Sequence, residues 1–320
     1  MNIRKRVVIF CSLLCFFLAG KAQFDAQFSQ YWALTGYYNP AFAGQNDKLN
    51  IYGTYSMQLL GFANAPKSMY FGADMPFKFL NKRHGVGVGF FNEGIGLFKN
   101  QRFYAQYSFK MKLWGGNLGL GIQAGAVSVT FDPDGINFGE QKDGEGNKND
   151  PAFPSAVSNG MGLDLGAGIY YSHPLFYAGF SASHLTSPLV HFGENNEMQI
   201  DPVFYFTGGC NIKTKSPLIS IQPSVLLKTD FVSTKLDLTA RLFYTWHEKD
   251  FYGGLSYSPG TSVTIAIGGK IKDFSLGYAY EIFTSKIGAG SGSHDLVINY
   301  SLNMNFFGKS KNKHKSIRIL

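Results

Sequence analysis

From Leu296 to Phe306 every second residue is apolar: Leu296, Ile298, Tyr300, Leu302, Met304 and Phe306. Of the residues between, Asn299, Ser301, Asn303 and Asn305 are polar, and Val297 is the one exception. Side chains alternate across a strand, so the stretch predicts a strand with one greasy face and one wet face. It outruns the roughly 5–6 residues of a typical soluble strand and ends in aromatics. The greasy face must lie against either a protein core or lipid, and the rest of the chain decides between them.

Fourteen segments of this kind can be traced, over 48–60, 67–76, 85–92, 97–113, 117–131, 160–171, 174–184, 202–213, 217–227, 233–246, 250–258, 261–270, 273–283 and 294–307. In the fourth, Phe103, Ala105, Tyr107, Phe109 and Met111 oppose Arg102, Gln106, Ser108, Lys110 and Lys112. In the tenth, Leu236, Leu238, Ala240 and Leu242 oppose Asp237, Thr239 and Arg241. Full charges on the wet face do not suit a core unless they are paired. The connections sort by parity. Even-numbered ones are mostly short, such as 114–117, 172–174, 213–217, 247–250 and 270–273, whereas the long ones, 132–159, 185–201 and 284–293, are odd. Short turns at one end and long loops at the other are the pattern of an outer-membrane barrel, and a soluble sandwich gives no reason for it. An even strand number brings both ends of the barrel to one side. The expectation is an all-β transmembrane outer-membrane β-barrel of 14 antiparallel strands, its greasy faces in lipid and Tyr300 and Phe306 at the membrane interface. Closure also removes the open edges that such long strands would otherwise present.

The ends carry their own signals. Arg4, Lys5 and Arg6 precede a short apolar run, and Gly20-Lys21-Ala22 offers a small-residue cut before Gln23, so residues 1–22 read as a secretory signal peptide. Phe10 and Leu14 precede the two cysteines there, not the small residue a lipoprotein cut requires, so no lipid anchor is expected. Cys210 is then the single cysteine left, and no intrachain disulfide can form. The formal charge of +8 is also an end effect: residues 23–308 hold 20 basic against 21 acidic side chains. That balance gives no argument for nucleic acid.

Catalytic and metal-binding patterns fail in turn. Asp132 and Asp134 open like a calcium loop, but Ile136 and Asn137 occupy places that need an oxygen ligand and a glycine. The seven histidines form no H-x-x-x-H pair, and none is spaced with Cys210 as metal ligands are. Ser183 and His184 are adjacent, so in a strand they would point to opposite faces and not act together. No enzymatic activity, cofactor or metal is expected.

Between the signal peptide and the first strand, residues 24–38 include Phe24, Phe28, Tyr31, Trp32, Tyr37 and Tyr38. A segment this aromatic needs burial, and it should fold against or into the barrel mouth on the inner side. Tyr38, Asn39, Pro40, Ala41, Phe42, Ala43 and Gly44 read as a tight turn, with Gly44 free to take positive φ. This run resembles the N-terminal hallmark of the PorP/SprF family of type IX secretion and gliding-motility membrane proteins. Residues 55–77, with Ala65, Pro66, Lys67 and Ser68 in the outer loop, resemble the family's first hairpin, and 85–109 its second. Ser293-His294-Asp295 opens a stretch that resembles its closing strand, with Asp295 where relatives usually carry Glu.

The resemblance implies a non-enzymatic component of the type IX secretion or gliding machinery that assists export or surface anchoring of a secreted protein. Its expected partners are outer-membrane lipids, a secreted surface protein and periplasmic secretion-system components. The interaction candidates are Tyr38, Asn39, Pro40, Ala41, Gly44, Pro66, Lys67, Ser293, His294 and Asp295. The division that follows is a signal peptide (1–22), an N-terminal periplasmic or lumen segment (23–47), the barrel (48–307) and a basic periplasmic tail (308–320). The alternative is a porin-like or FadL-like transport barrel with residues 23–47 as its plug.

Overall fold

The computed structural model describes residues 25–133, 157–192, 196–247, 249–284 and 292–303. The expected signal peptide, most of the acidic loop, Met304, Phe306 and the basic tail lie outside the described residues. The strands are β1 (Leu49–Met57), β2 (Lys67–Phe79), β3 (Lys82–Ile95), β4 (Phe98–Leu113), β5 (Gly116–Phe131), β6 (Ser158–Ser172), β7 (Phe176–Ser183), β8 (Leu189–Phe192), β9 (Asn196–Gln199), β10 (Val203–Cys210), β11 (Ile212–Lys213), β12 (Ile219–Thr229), β13 (Thr234–Trp246), β14 (Lys249–Ser258), β15 (Ser262–Ile271), β16 (Phe274–Phe283) and β17 (Gly292–Leu302). Each main strand pairs antiparallel with the next, β10 pairs with β7 and β12, and β1 pairs with β17 from Leu49↔Leu302 to Met57↔His294. The result is a closed 14-stranded antiparallel β-barrel, as the alternation and the loop parity imply.

The turns at the end where β1 starts and β17 finishes are tight. Leu80 and Asn81 have φ of 48° and 57°, and Trp114 and Gly115 have 45° and 78°. Positive φ at both central residues is what two-residue hairpins need to match strand twist. β2 and β3 therefore run on to Phe79 and back from Lys82, well past the expected 76 and 85. By the rule that short turns are periplasmic, this is the inner end.

Two other segments depart from expectation. The loop at 185–201 carries the hairpin β8–β9, whose Val190 is wholly buried with Val127, Val129, Phe131 and Ile200. It folds inward over the outer end of β5, so part of an expected outer loop is a cap. The expected eighth strand, 202–213, is broken into β10 and β11. Pro223 of β12 lies opposite the break and has no N–H to give, so the ladder lapses after Gly209↔Ser224 and resumes in the same register at Ile212↔Ile221.

The outward face is apolar: Phe103 and Ile122 are 60% exposed, and Leu255 and Ile267 59%. A continuous apolar wall is far larger than the few hundred Å² that soluble monomers expose, so lipid covers it. Trp114, Trp246, Phe274 and Tyr300 stand outward near the inner end, and Phe231 and Tyr257 near the outer end, as interfacial girdles do. The face toward the lumen is polar and buried, with Ser108, Gln123, Asp164, Thr239 and Asp295 among it. What buries it is the N-terminal segment.

Candidate functional site

Residues 25–48 run down the lumen from its outer half to the inner end, further than a segment docked at the inner mouth. Asp25 meets the outer-half residues Arg102, His184, Tyr205 and Lys228, while Lys48 is paired with Asp273 of the inner turn at 2.8 Å. The segment has only short helical turns, at Tyr31–Ala33, Thr35–Tyr38 and Pro40–Phe42, so many of its backbone groups need partners on the wall. The wall supplies them. Asp295 Oδ2 accepts from Ser29 N at 2.5 Å, Gln106 donates to Gly36 O at 2.8 Å, and Ser108 Oγ donates to Ala43 O at 2.6 Å. Lys110 Nζ donates to Ala41 O, and Arg83 donates to the carbonyls of Gly44 and Gln45 at 3.0 and 2.7 Å. Phe28, Leu34, Tyr38, Tyr70, Tyr104 and Leu226 pack into a cluster with no exposed surface across the lumen. Val297, the apolar exception on the wet face of the closing strand, belongs to this cluster.

Seven of the ten residues expected to carry interactions meet at this plug or flank it. The Tyr38 hydroxyl accepts from Phe28 N at 3.1 Å, and its carbonyl accepts from Ser181 Oγ at 2.6 Å. Asn39 is the clasp: Oδ1 accepts from Ala41 N at 2.9 Å, while Nδ2 donates to Ile169 O and Phe180 O at 3.0 and 3.3 Å, bridging β6 and β7. Pro40 starts the helical turn that this bond closes. Gly44 takes φ +64° and passes Gly85 so closely that a Cβ would stand 2.5 Å from the Gly85 Cα. That close pass requires glycine on both sides. Asp295 holds Ser29, and Ser293 Oγ accepts from Leu59 N at 3.2 Å. The other three lie elsewhere. Pro66 and exposed Lys67 sit at the outer rim, and His294 points outward to Tyr278, Nδ1 to hydroxyl at 2.6 Å.

The centre of charge was not among the expected residues. Asp25 Oδ1 lies 3.1 Å from His184 Nε2 and 3.5 Å from Arg102 Nη1, and Oδ2 accepts from the Tyr205 hydroxyl. His184 Nδ1 lies 3.1 Å from Asp164 Oδ1, so the ring bridges two carboxylates. The Arg102 guanidinium is 5.2 Å from the Tyr37 ring centroid and 5.4 Å from that of Tyr104. His184 is wholly buried, contrary to the expectation that it opposes Ser183, which is itself buried. β7 ends at Ser183 and His184 has φ +57°, so strand alternation no longer applies there.

Burial alone would raise the Asp25 carboxyl; the charges of Arg102 and His184, with hydrogen bonds from His184 and Tyr205, overcome it and hold Asp25 well below the carboxylate range. Burial alone would lower the His184 imidazole; the Asp25 charge and hydrogen bonds to Asp164 and Asp25 overcome that and raise it to about 9. A histidine raised on folding stabilises the folded state fully below its ordinary 6.5 and loses that contribution as pH climbs through about 9. A depressed Asp25 contributes above its ordinary 3.8 and loses this only in strong acid. The detergent-solubilised barrel should therefore lose thermal stability between pH 6.5 and about 9, by an amount on the order of 3 kcal/mol. His184→Gln should flatten that slope. An unchanged slope in the variant would remove His184 as its source.

Among the described residues, cavities of three sizes above a single water flank the plug. One of about 520 Å³ opens at the outer end, over Asp25, Ala26 and Gln27. Two of about 180 and 220 Å³ lie lower, against Trp32 and Ala33. The inner rim is basic, with Lys82, Lys112, Lys213, Lys215, Lys249 and Lys272 exposed around it.

The family described as type IX secretion system membrane protein PorP/SprF matches residues 20–300. No curated protein matches the chain. Among solved structures, the chain is similar to a deletion mutant of the monoaromatic hydrocarbon channel TodX, with a TM-score of 0.48 and 10% identity over 83% of this chain and 93% of that one. It is similar to the outer membrane protein Omp33 of Acinetobacter baumannii, with a TM-score of 0.45 and 7% identity over 81% and 100%. A Pseudomonas aeruginosa FadL homologue gives 0.46 and 10% over 82% and 91%.

Proposed function

The chain belongs to the PorP/SprF family of type IX secretion system membrane proteins, and from that premise we propose that it serves the system as a protein-binding barrel, without catalysis. One observation carries the reading: the lumen is filled by the chain's own N-terminal segment, clasped along its length by buried wall groups. A barrel built this way offers two faces instead of a channel. The outer face would engage an exported protein, helping its release or anchoring at the surface, in secretion or in gliding. The inner face, with its ring of lysines, suits acidic surfaces of periplasmic components of the system.

Gentle extraction from the native outer membrane, followed by mass spectrometry of what copurifies, tests this. A large exported protein or periplasmic secretion components should be recovered. Lys213→Glu with Lys215→Glu should reduce recovery of the periplasmic ones. A solitary barrel, unaffected by either change, would overturn the reading in favour of a transport barrel.

A further inference from the structure

The cavity at the outer end has walls of a consistent chemistry. Apart from Asp25, whose charge Arg102 and His184 already meet, its carboxylates are Glu93, Asp201, Asp230 and Glu281, against two cations, Lys228 and Lys235. Both cations are engaged: Lys228 Nζ donates to Asp25 O at 2.6 Å, and Lys235 Nζ lies 3.9 Å from Glu281. Two acceptors are not. The side-chain carbonyls of Asn100 and Gln27 are buried and lack a donor among the described residues. Asn100 is 6% exposed, lines the cavity and stands directly across the ladder from Glu93, itself 5% exposed and fixed by Ser68 Oγ at 2.7 Å. Ile95, Phe98, Met198 and Phe283 supply apolar wall beside these groups.

An unpaired buried carbonyl favours a donor, the carboxylate excess favours a cation, and the apolar wall favours an aliphatic stem. No group of three His, Cys, Asp or Glu among the described residues suits a metal ion. An ammonium satisfies the charge, but a planar guanidinium presents five donors in a fixed fork and can address a carboxylate and a neighbouring carbonyl together. We propose that this outer vestibule binds an alkylguanidinium, the chemistry of an arginine side chain, through Glu93 and Asn100. The cavity is of ligand-site size and opens at the outer end, so the group arrives from outside the cell. The site's chemistry is the same whether the barrel serves exported proteins or solutes.

Calorimetric titration of the full-length barrel in detergent tests it with three probes: agmatine, the end-capped tripeptide glycyl-arginyl-glycine, and 1-pentanol. Agmatine should bind saturably and more weakly as salt is raised, and pentanol should not bind. Glu93→Gln and Asn100→Leu should each weaken agmatine by about tenfold or more. Glu93→Gln changes a single atom, and retention of heat-resistant mobility on gels confirms that each variant is folded. If the capped tripeptide binds within about tenfold of agmatine, the source is an arginine on a polypeptide; if agmatine alone binds, it is a free solute. No saturable binding of agmatine, or equal binding by folded Glu93→Gln, would overturn the site and leave the cavity to water.

Discussion

Deletion of residues 25–47 is expected to convert a silent barrel into a conducting one. The wall does not depend on the plug for its own backbone pairing, which runs strand to strand around the full circuit. The wall groups that the plug now satisfies, including Asp74, Arg102, Gln106, Ser108, Lys110 and Asp295, are polar or charged, and water entering the lumen can solvate them. The aromatic cluster is different, because losing Phe28, Tyr37 and Tyr38 exposes Tyr70, Tyr104 and Leu226 to that water. The deleted barrel should thus be less stable but still closed. In a planar bilayer the intact protein should pass little current and the deletion variant should show steady open-channel steps. A variant that keeps its folded, heat-resistant gel mobility and still conducts nothing would show that something other than this segment blocks the lumen.

The second large effect is expected at a single oxygen. Asp25→Asn keeps the shape of the side chain and removes its charge, leaving Arg102 and His184 facing one another with Nη1 and Nε2 only 3.2 Å apart. Breaking a buried pair by removing one partner costs about 3–5 kcal/mol, because the remaining charge stays desolvated. The loss falls on the outer half of the plug, since the clasp at Asn39 and the contacts of Gly44 lie nearer the inner end. Limited proteolysis should therefore cut near the N-terminus of the variant while the strands stay resistant. Arg102→Met alone should also destabilise, yet the double variant should lose clearly less than the sum of the two. Additive losses would mean that the pair does not hold the plug.

Much of this architecture could be read before the fold was known, because it rests on local pattern. Alternation located the fourteen wall strands, and loop parity closed them into a barrel. The pattern fails where a residue obeys something other than its strand. The Leu80–Asn81 turn was hidden by an uninterrupted change of strand, and β8–β9 lay in a segment too short and mixed to show a period. His184 turns inward only because its backbone leaves the strand. Arg102, Lys110, Asp237 and Arg241 were visible as charges on wet faces, but their partners were not. Ser29 and Asp295 are 266 positions apart, and no spacing rule connects them. Val297 was the clue available: an apolar side chain on a wet face means that something dry is waiting there.

The seam between β1 and β17 has a consequence for how the protein is made. The plug enters β1 at the inner end, while its far end lies deep in the outer half. A barrel that zipped shut first would have to admit Asp25 and an aromatic strand of chain through its inner opening, against a finished wall. The order that avoids this is for the wall to assemble around the segment, as around a mandrel, with the last strand closing over it. That strand brings both the nine-pair seam and the Asp295 hold on Ser29. The plug and β17 are thus fastened to one another at the seam, and a product that stops short of β17 lacks both the nine pairs and the hold on Ser29.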